Sequence, residues 1–145
     1  MSRTNTNPTG PSRALLGWAP ALACMALIWV LSSMSMPPLV PSGGPWTDKL
    51  LHAVEYTVLG VLTAHGSSAT WPGAARWRLA IFGTAVATGW GLLDELHQAF
   101  VPGRMSDWRD LAADAVGASV GATTRILLGA RLARGPARVQ GVQRS

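Results

Sequence analysis

The chain has almost no cysteine: Cys24 is the only one, and it falls inside an apolar run. A disulfide framework and a cysteine metal site are thereby excluded. Charge is scarce as well, with Asp, Glu, Lys and Arg together making 13% of 145 residues against 48% hydrophobic residues. Soluble domains carry about 25% charged residues, and the mean hydropathy here is +0.23. One domain of a membrane protein is the class that fits. The chain also lacks an internal repeat, which disfavours the repeat-built transporter architectures. It lacks an evident nucleophile too, because Ser106 lies in a turn and residue order alone establishes no Ser/His/Asp arrangement. The twelve basic residues give a net charge of +5, but they cluster at the two tails and one short loop. They predict membrane topology and no nucleic-acid partner.

Four apolar segments predict four transmembrane helices. The first runs from Ala14 to about Met34, some 20 residues, which exceeds the roughly 7–15 of a secretory signal core and is long enough to span. A Pro-rich connector leads to a second helix, about Asp48 to His65. The Gly/Ser/Pro stretch GSSATWPGAA reads as a loop. A third helix follows from about Arg76 to Val101, then the turn PGR, then a fourth from Asp107 to about Leu128. The second is short for a hydrocarbon core of about 30 Å and carries His52 and Glu55, so it requires shielding by its neighbours. The predicted organisation is a tail over residues 1–13, a helical domain over 14–128, and a basic, disordered tail over 129–145.

The basic residues set direction. Arg3 and Arg13 precede helix one, Arg76 and Arg78 border the loop before helix three, and Arg125, Arg131, Arg134, Arg138 and Arg144 close the chain. All three regions fall on one side of a four-span protein, which the positive-inside rule makes cytoplasmic, together with both termini. Trp18, Trp71 and Trp77 then mark the inner interface, and Trp46 and Trp108 the outer one.

All seven carboxylates, Asp48, Glu55, Asp94, Glu95, Asp107, Asp110 and Asp114, fall in or near the outer ends of helices two to four. At about 100° per residue, Asp48, His52 and Glu55 share one face of helix two, while Asp107, Asp110, Asp114, Gly117 and Gly121 share one face of helix four. Lipid does not solvate such groups, so both faces should turn inward. On helix three, Asp94, His97 and Gln98 share a face and Glu95 points elsewhere. Gly117-x-x-x-Gly121 predicts close helix approach, as packing within the bundle rather than a dimer interface. Asp48 and Asp107 read first as helix caps, and Arg104 and Arg109 as partners for Asp94, Glu95 or Asp110.

Several chemistries suit these residue types. His52-x-x-Glu55 and Asp94-x-x-His97, with Asp110 and Asp114, form His/carboxylate pairs of the kind a bundle gathers around a cation, though no known metal pattern is matched. His52, Glu55, Asp94, Glu95, His97, Asp110 and Asp114 are also candidate acid/base groups. Lys49, Gln98, Arg104 and Arg109 are candidates for holding an anionic substrate or headgroup. Cofactor and metal identity stay open.

The stretches DKLLHAVEYTVLG and DELHQAFVPGRMSDWRDLAADAVGASVG strongly resemble the VanZ-like family of small bacterial membrane proteins. The matching positions are Asp48, Lys49, His52, Glu55 and Tyr56, then Asp94, Glu95, His97, Gln98, Arg104, Asp107, Asp110, Asp114, Gly117 and Gly121. Many members carry Asn at the position of Asp114. The resemblance implies a multi-pass cell-membrane protein of the envelope, the namesake being associated with low-level resistance to the glycopeptide teicoplanin. It implies no known reaction. The function expected is an outward-facing polar pocket that binds or modifies a lipid-linked or anionic envelope component. A non-catalytic membrane scaffold or partner protein is the first alternative, and a small proton-coupled transporter the second.

Overall fold

A computed structural model describes residues 10–35 and 45–134. The Pro-rich connector and the two ends of the chain, with Arg3, Arg138 and Arg144, lie outside the described residues. Four helices account for the rest: α1 (Gly10–Ser32), α2 (Pro45–Thr70), α3 (Arg76–Gln98) and α4 (Trp108–Arg134). No strand occurs among the described residues. The fold is all-α, as expected. By length and composition α1, α3 and α4 could each cross a membrane.

The bundle is apolar outside and polar inside. Leu15, Leu22, Val30, Val54, Val58, Ile81, Leu93, Val120 and Leu127 are exposed, whereas Ser32, His52, Thr63, Ser67, Asp94, Glu95, Gln98, Asp110 and Asp114 are buried. A water-soluble protein has the opposite preference. The polarity is that of a membrane protein, in which lipid covers the apolar faces and the polar groups must find one another.

Helix α2 is the centre of the bundle and packs on all three others. It is longer than the sequence suggests. The GSSAT segment, expected as loop, is helical to Thr70, giving 26 residues and about 39 Å at 1.5 Å per residue. Its hydroxyls explain why so polar a helix can be buried. Thr57, Thr63, Ser67, Ser68 and Thr70 each donate to the carbonyl four residues earlier, so burial leaves none of these five hydroxyls without an acceptor. Thr63 also reaches the Gly83 carbonyl of α3 at 2.8 Å. Pro72 ends the helix by disfavouring helical backbone at Trp71.

Helices α2 and α4 meet backbone to backbone. A Cβ at Gly117 would overlap the Ala53 carbonyl, one at Gly121 the Thr57 carbonyl, and one at Gly60 the backbone of Ala118. The Gly117/Gly121 seam is therefore internal packing, as predicted. Helix α3 ends at Gln98, earlier than Val101, because Phe100 and Val101 bond only three residues back, to His97 and Gln98, ahead of Pro102. Gly103, at φ +82°, turns the chain there, a backbone angle that a side chain disfavours. Helix α4 continues to Arg134, so residues 129–134, assigned to the tail from sequence, are helical.

Candidate functional site

The carboxylates gather at one end of the bundle, where α1 and α3 finish and α2 and α4 begin. Asp107 caps α4, its Oδ1 accepting from the Arg109 N–H at 2.9 Å. Asp48 does not cap α2, which starts at Pro45. It sits one turn in, about half exposed, 3.8 Å from the Lys49 ammonium.

Lys49 was expected to meet an anionic ligand; instead it is occupied by the protein. Its Nζ lies 2.9 Å from Asp107 Oδ2 and 2.5 Å from Asp110 Oδ1. This clamp ties the first turn of α2 to the start of α4. The ammonium, and then the Arg109 N–H, hold the Asp107 carboxyl below its usual range. Lys49 of α2 thus takes Asp110, for which the sequence suggested Arg104 or Arg109 as partner. Arg109 is exposed, with its guanidinium 5.8 Å from the Trp108 ring centroid, away from the buried carboxylates.

Deeper in, His52 Nδ1 is 2.9 Å from Asp114 Oδ1. A carboxylate only accepts, so Nδ1 carries the proton. Glu95 closes the α3–α4 connection: its Oε2 accepts from the Ser106 hydroxyl at 3.1 Å and the Asp107 N–H at 2.9 Å. On the α1 side, Asp94 Oδ1 accepts from Ser32 at 2.5 Å and Oδ2 from Gln98 at 2.8 Å. Gln98, expected to contact a substrate, is thereby committed to Asp94. Two triplets bring ligand-type atoms within 4.8 Å of one another, Asp48/His52/Asp110 and His52/Glu95/Asp114.

A cavity of about 310 Å³ opens beside this network, lined by Ser32, Asp48, His52, Glu55, Asp94, Gln98 and Arg104 with Ile28, Leu31, Leu51 and Val54. Arg104 makes no salt bridge among the described residues, and its Nε is buried without a hydrogen-bond partner.

The VanZ/LLP1 family description matches residues 16–129 of this chain. The chain belongs to the VanZ/LLP1 family. No curated protein and no solved structure shows a significant match. The VanZ/LLP1 match covers α2 and α3 whole, most of α1 and α4, and every candidate residue named from the sequence.

Those candidates separate into two layers around His52 and one outlier. His52, Glu55, Asp94 and Arg104 line the cavity, while Glu95, Asp110 and Asp114 lie outside its lining, the first and last grouped with His52. One polar pocket was expected from the inward-turned acidic faces; the helices bring these residues to one end, but the His52 imidazole stands between the cavity and the Glu95/Asp114 group. His97 is the outlier. Its ring stacks on Trp29 of α1 at 4.1 Å between centroids, and its Nε2 is 2.9 Å from Ser33 Oγ. The i, i+3 spacing from Asp94 did not keep the two side chains together, because the 60° between them is enough to point one into the cavity and the other along α1. Sequence reasoning missed Ser32, Ser33, Trp29 and the site role of Ser106. A hydroxyl pair at the acidic end of an otherwise apolar helix was the available signal.

Proposed function

We propose that this VanZ-like protein is a multi-pass protein of the cell membrane, with its termini cytoplasmic and a cavity facing outward that binds or modifies a lipid-linked or anionic envelope component. The observation carrying the proposal is Arg104. A guanidinium in a half-buried cavity, with no protein carboxylate within salt-bridge distance among the described residues, is suited to a charged oxygen ligand such as phosphate. The apolar wall supplies the rest: Leu51 and Val54 line the same cavity and are 38% and 57% exposed, so an acyl or isoprenoid chain can leave the cavity along them into lipid. Glu55 stands in the same cavity as the group best placed to handle a proton. By family likeness the proposal extends to altered tolerance of teicoplanin in cells that express the chain.

The test is lipid retention by the purified full-length protein in nanodiscs, read by native mass spectrometry with phosphatidylglycerol against phosphatidylcholine. Charged hydrogen bonds contribute about 1.5–3 kcal/mol, so Arg104→Gln should weaken retention of the anionic lipid roughly 10- to 150-fold and leave the zwitterionic lipid unchanged. Equal retention of both lipids by the wild-type protein refutes the proposal.

A further inference from the structure

Asp114 and Glu95 are 1% and 4% exposed, and each has one carboxylate oxygen, Asp114 Oδ2 and Glu95 Oε1, buried with no hydrogen-bond partner. Buried oxygens of this kind are rare because each forfeits its hydration without replacement. No Lys or Arg side chain reaches these two oxygens among the described residues. The Lys49 ammonium is committed to Asp107 and Asp110, Arg104 has no carboxylate partner among the described residues, and the His52 imidazole reaches Asp114 Oδ1 alone. The cluster sets two carboxyl oxygens without donors in the place least able to solvate them.

The geometry points to a divalent transition cation of the Zn²⁺ or Mn²⁺ class held by His52, Glu95 and Asp114. Their ligand atoms lie within 4.8 Å of one another, and metal bonds of about 2.0–2.2 Å require only a small side-chain rotation to close that spread. One imidazole nitrogen with two carboxylates favours such a cation over Mg²⁺ or Ca²⁺, which take oxygen ligands. The surroundings orient the ligands as metal sites require. Ser106 and the Asp107 N–H fix Glu95 through Oε2. Gly91 leaves room for Asp114, since a Cβ there would stand 2.7 Å from Oδ2. The other triplet, Asp48/His52/Asp110, is less suited, because Asp110 is already clamped by Lys49. This inference deepens the proposed function, since His52 borders both the cavity and the cluster. A cation here would fix the imidazole that forms part of the cavity wall.

The experiment uses the full-length protein in nanodiscs, stripped with a chelator and titrated with Zn²⁺, Mn²⁺ and Mg²⁺. One equivalent of Zn²⁺ or Mn²⁺ should bind, with Mg²⁺ at least tenfold weaker, and Glu95→Gln or Asp114→Asn should each lower the affinity at least tenfold while the circular dichroism stays helical. Co²⁺ in place of Zn²⁺ should give a visible absorption band more intense than that of the aqueous ion. Should both variants fail to fold, the Co²⁺ band of the wild-type protein decides. Absence of that band, binding below one equivalent, or loss caused by Asp48→Asn but not by Glu95→Gln overturns the inference. Arg104→Gln separates the two ideas: it should keep cation binding and lose anionic lipid. Retained lipid selectivity without any cation binding sinks the cation site alone.

Discussion

Replacing Gly117 by alanine tests the seam on which the whole acidic end depends. Two opposing effects have to be weighed. Alanine in a helix interior is favoured over glycine by about 0.5–1 kcal/mol. Against that, the new Cβ would overlap the carbonyl of Ala53 on α2, a backbone atom that cannot rotate away. Overpacking of this kind costs about 1–3 kcal/mol, so after the propensity gain a net loss of up to about 2.5 kcal/mol is expected, with α2 and α4 pushed apart. Gly89 is the matched control, because a Cβ there meets nothing within 4 Å. Gly89→Ala should therefore stabilise by up to about 1 kcal/mol from propensity alone. Reversible unfolding in mixed micelles, followed by circular dichroism, measures both. If Gly117→Ala proves as stable as Gly89→Ala, the close approach of α2 and α4 is wrong. If it leaves stability intact but abolishes a dimer, the Gly117/Gly121 stripe faces another copy and not α2.

Lys49→Met leaves Asp110, whose side chain is 6% exposed, without its cation, and should destabilise by about 3–5 kcal/mol; adding Asp110→Asn should restore much of the loss in a double-mutant cycle. The Asp107 carboxyl has a lowered pKa in the folded protein, so its contribution to stability is fully present above the ordinary carboxylate value and is lost as pH falls through the depressed one. A carbon NMR titration of Asp107 should accordingly show a midpoint below 3.8; a midpoint at or above that value disproves the Lys49 pairing. For topology, reporters placed after Gly73 and after Arg134 should give cytoplasmic signals, and an external signal from either would reverse the proposed orientation.

The charge pattern made the acidic end legible, and the helix boundaries less so. All seven carboxylates belong to α2, α3, α4 and the loop before α4, and on α2 and α4 Asp48/Glu55 and Asp107/Asp114 recur at seven-residue spacing on faces that lipid cannot solvate, so their convergence at one end could be derived before any coordinates. What could not be derived was which donor each carboxylate takes. Lys49 and Arg104 carry the same sign and stand in comparable places, yet one is enclosed by three carboxylates and the other faces a cavity. That difference depends on side-chain reach across the α2–α4 seam, which only tertiary packing fixes. The extension of α2 through GSSAT was hidden for a related reason: Gly and Ser argue for a loop in water, but with no water to bond, Ser67, Ser68 and Thr70 turn their hydroxyls onto the carbonyls of their own helix.

Glu95 shows how structure and chemistry are combined at this end of the bundle. One of its oxygens holds the α3–α4 connection through Ser106 and the Asp107 N–H, while the other is left buried beside His52 and Asp114. The same Asp107 caps α4 and binds Lys49 of α2. A shift of the loop that loosened Asp107 would thus move the helix cap, the Lys49 clamp and the Glu95 carboxylate together. Asp107, Lys49, Asp110, Glu95 and Ser106 are thus joined in one hydrogen-bonded network, which couples their charge states. Glu55 stands apart: it lines the cavity, and among the described residues none of the hydrogen bonds that tie the helices together passes through it. Arg104 lines the same cavity and likewise makes no salt bridge among the described residues, and it is on this pair of uncommitted, opposite charges that the proposed ligand rests.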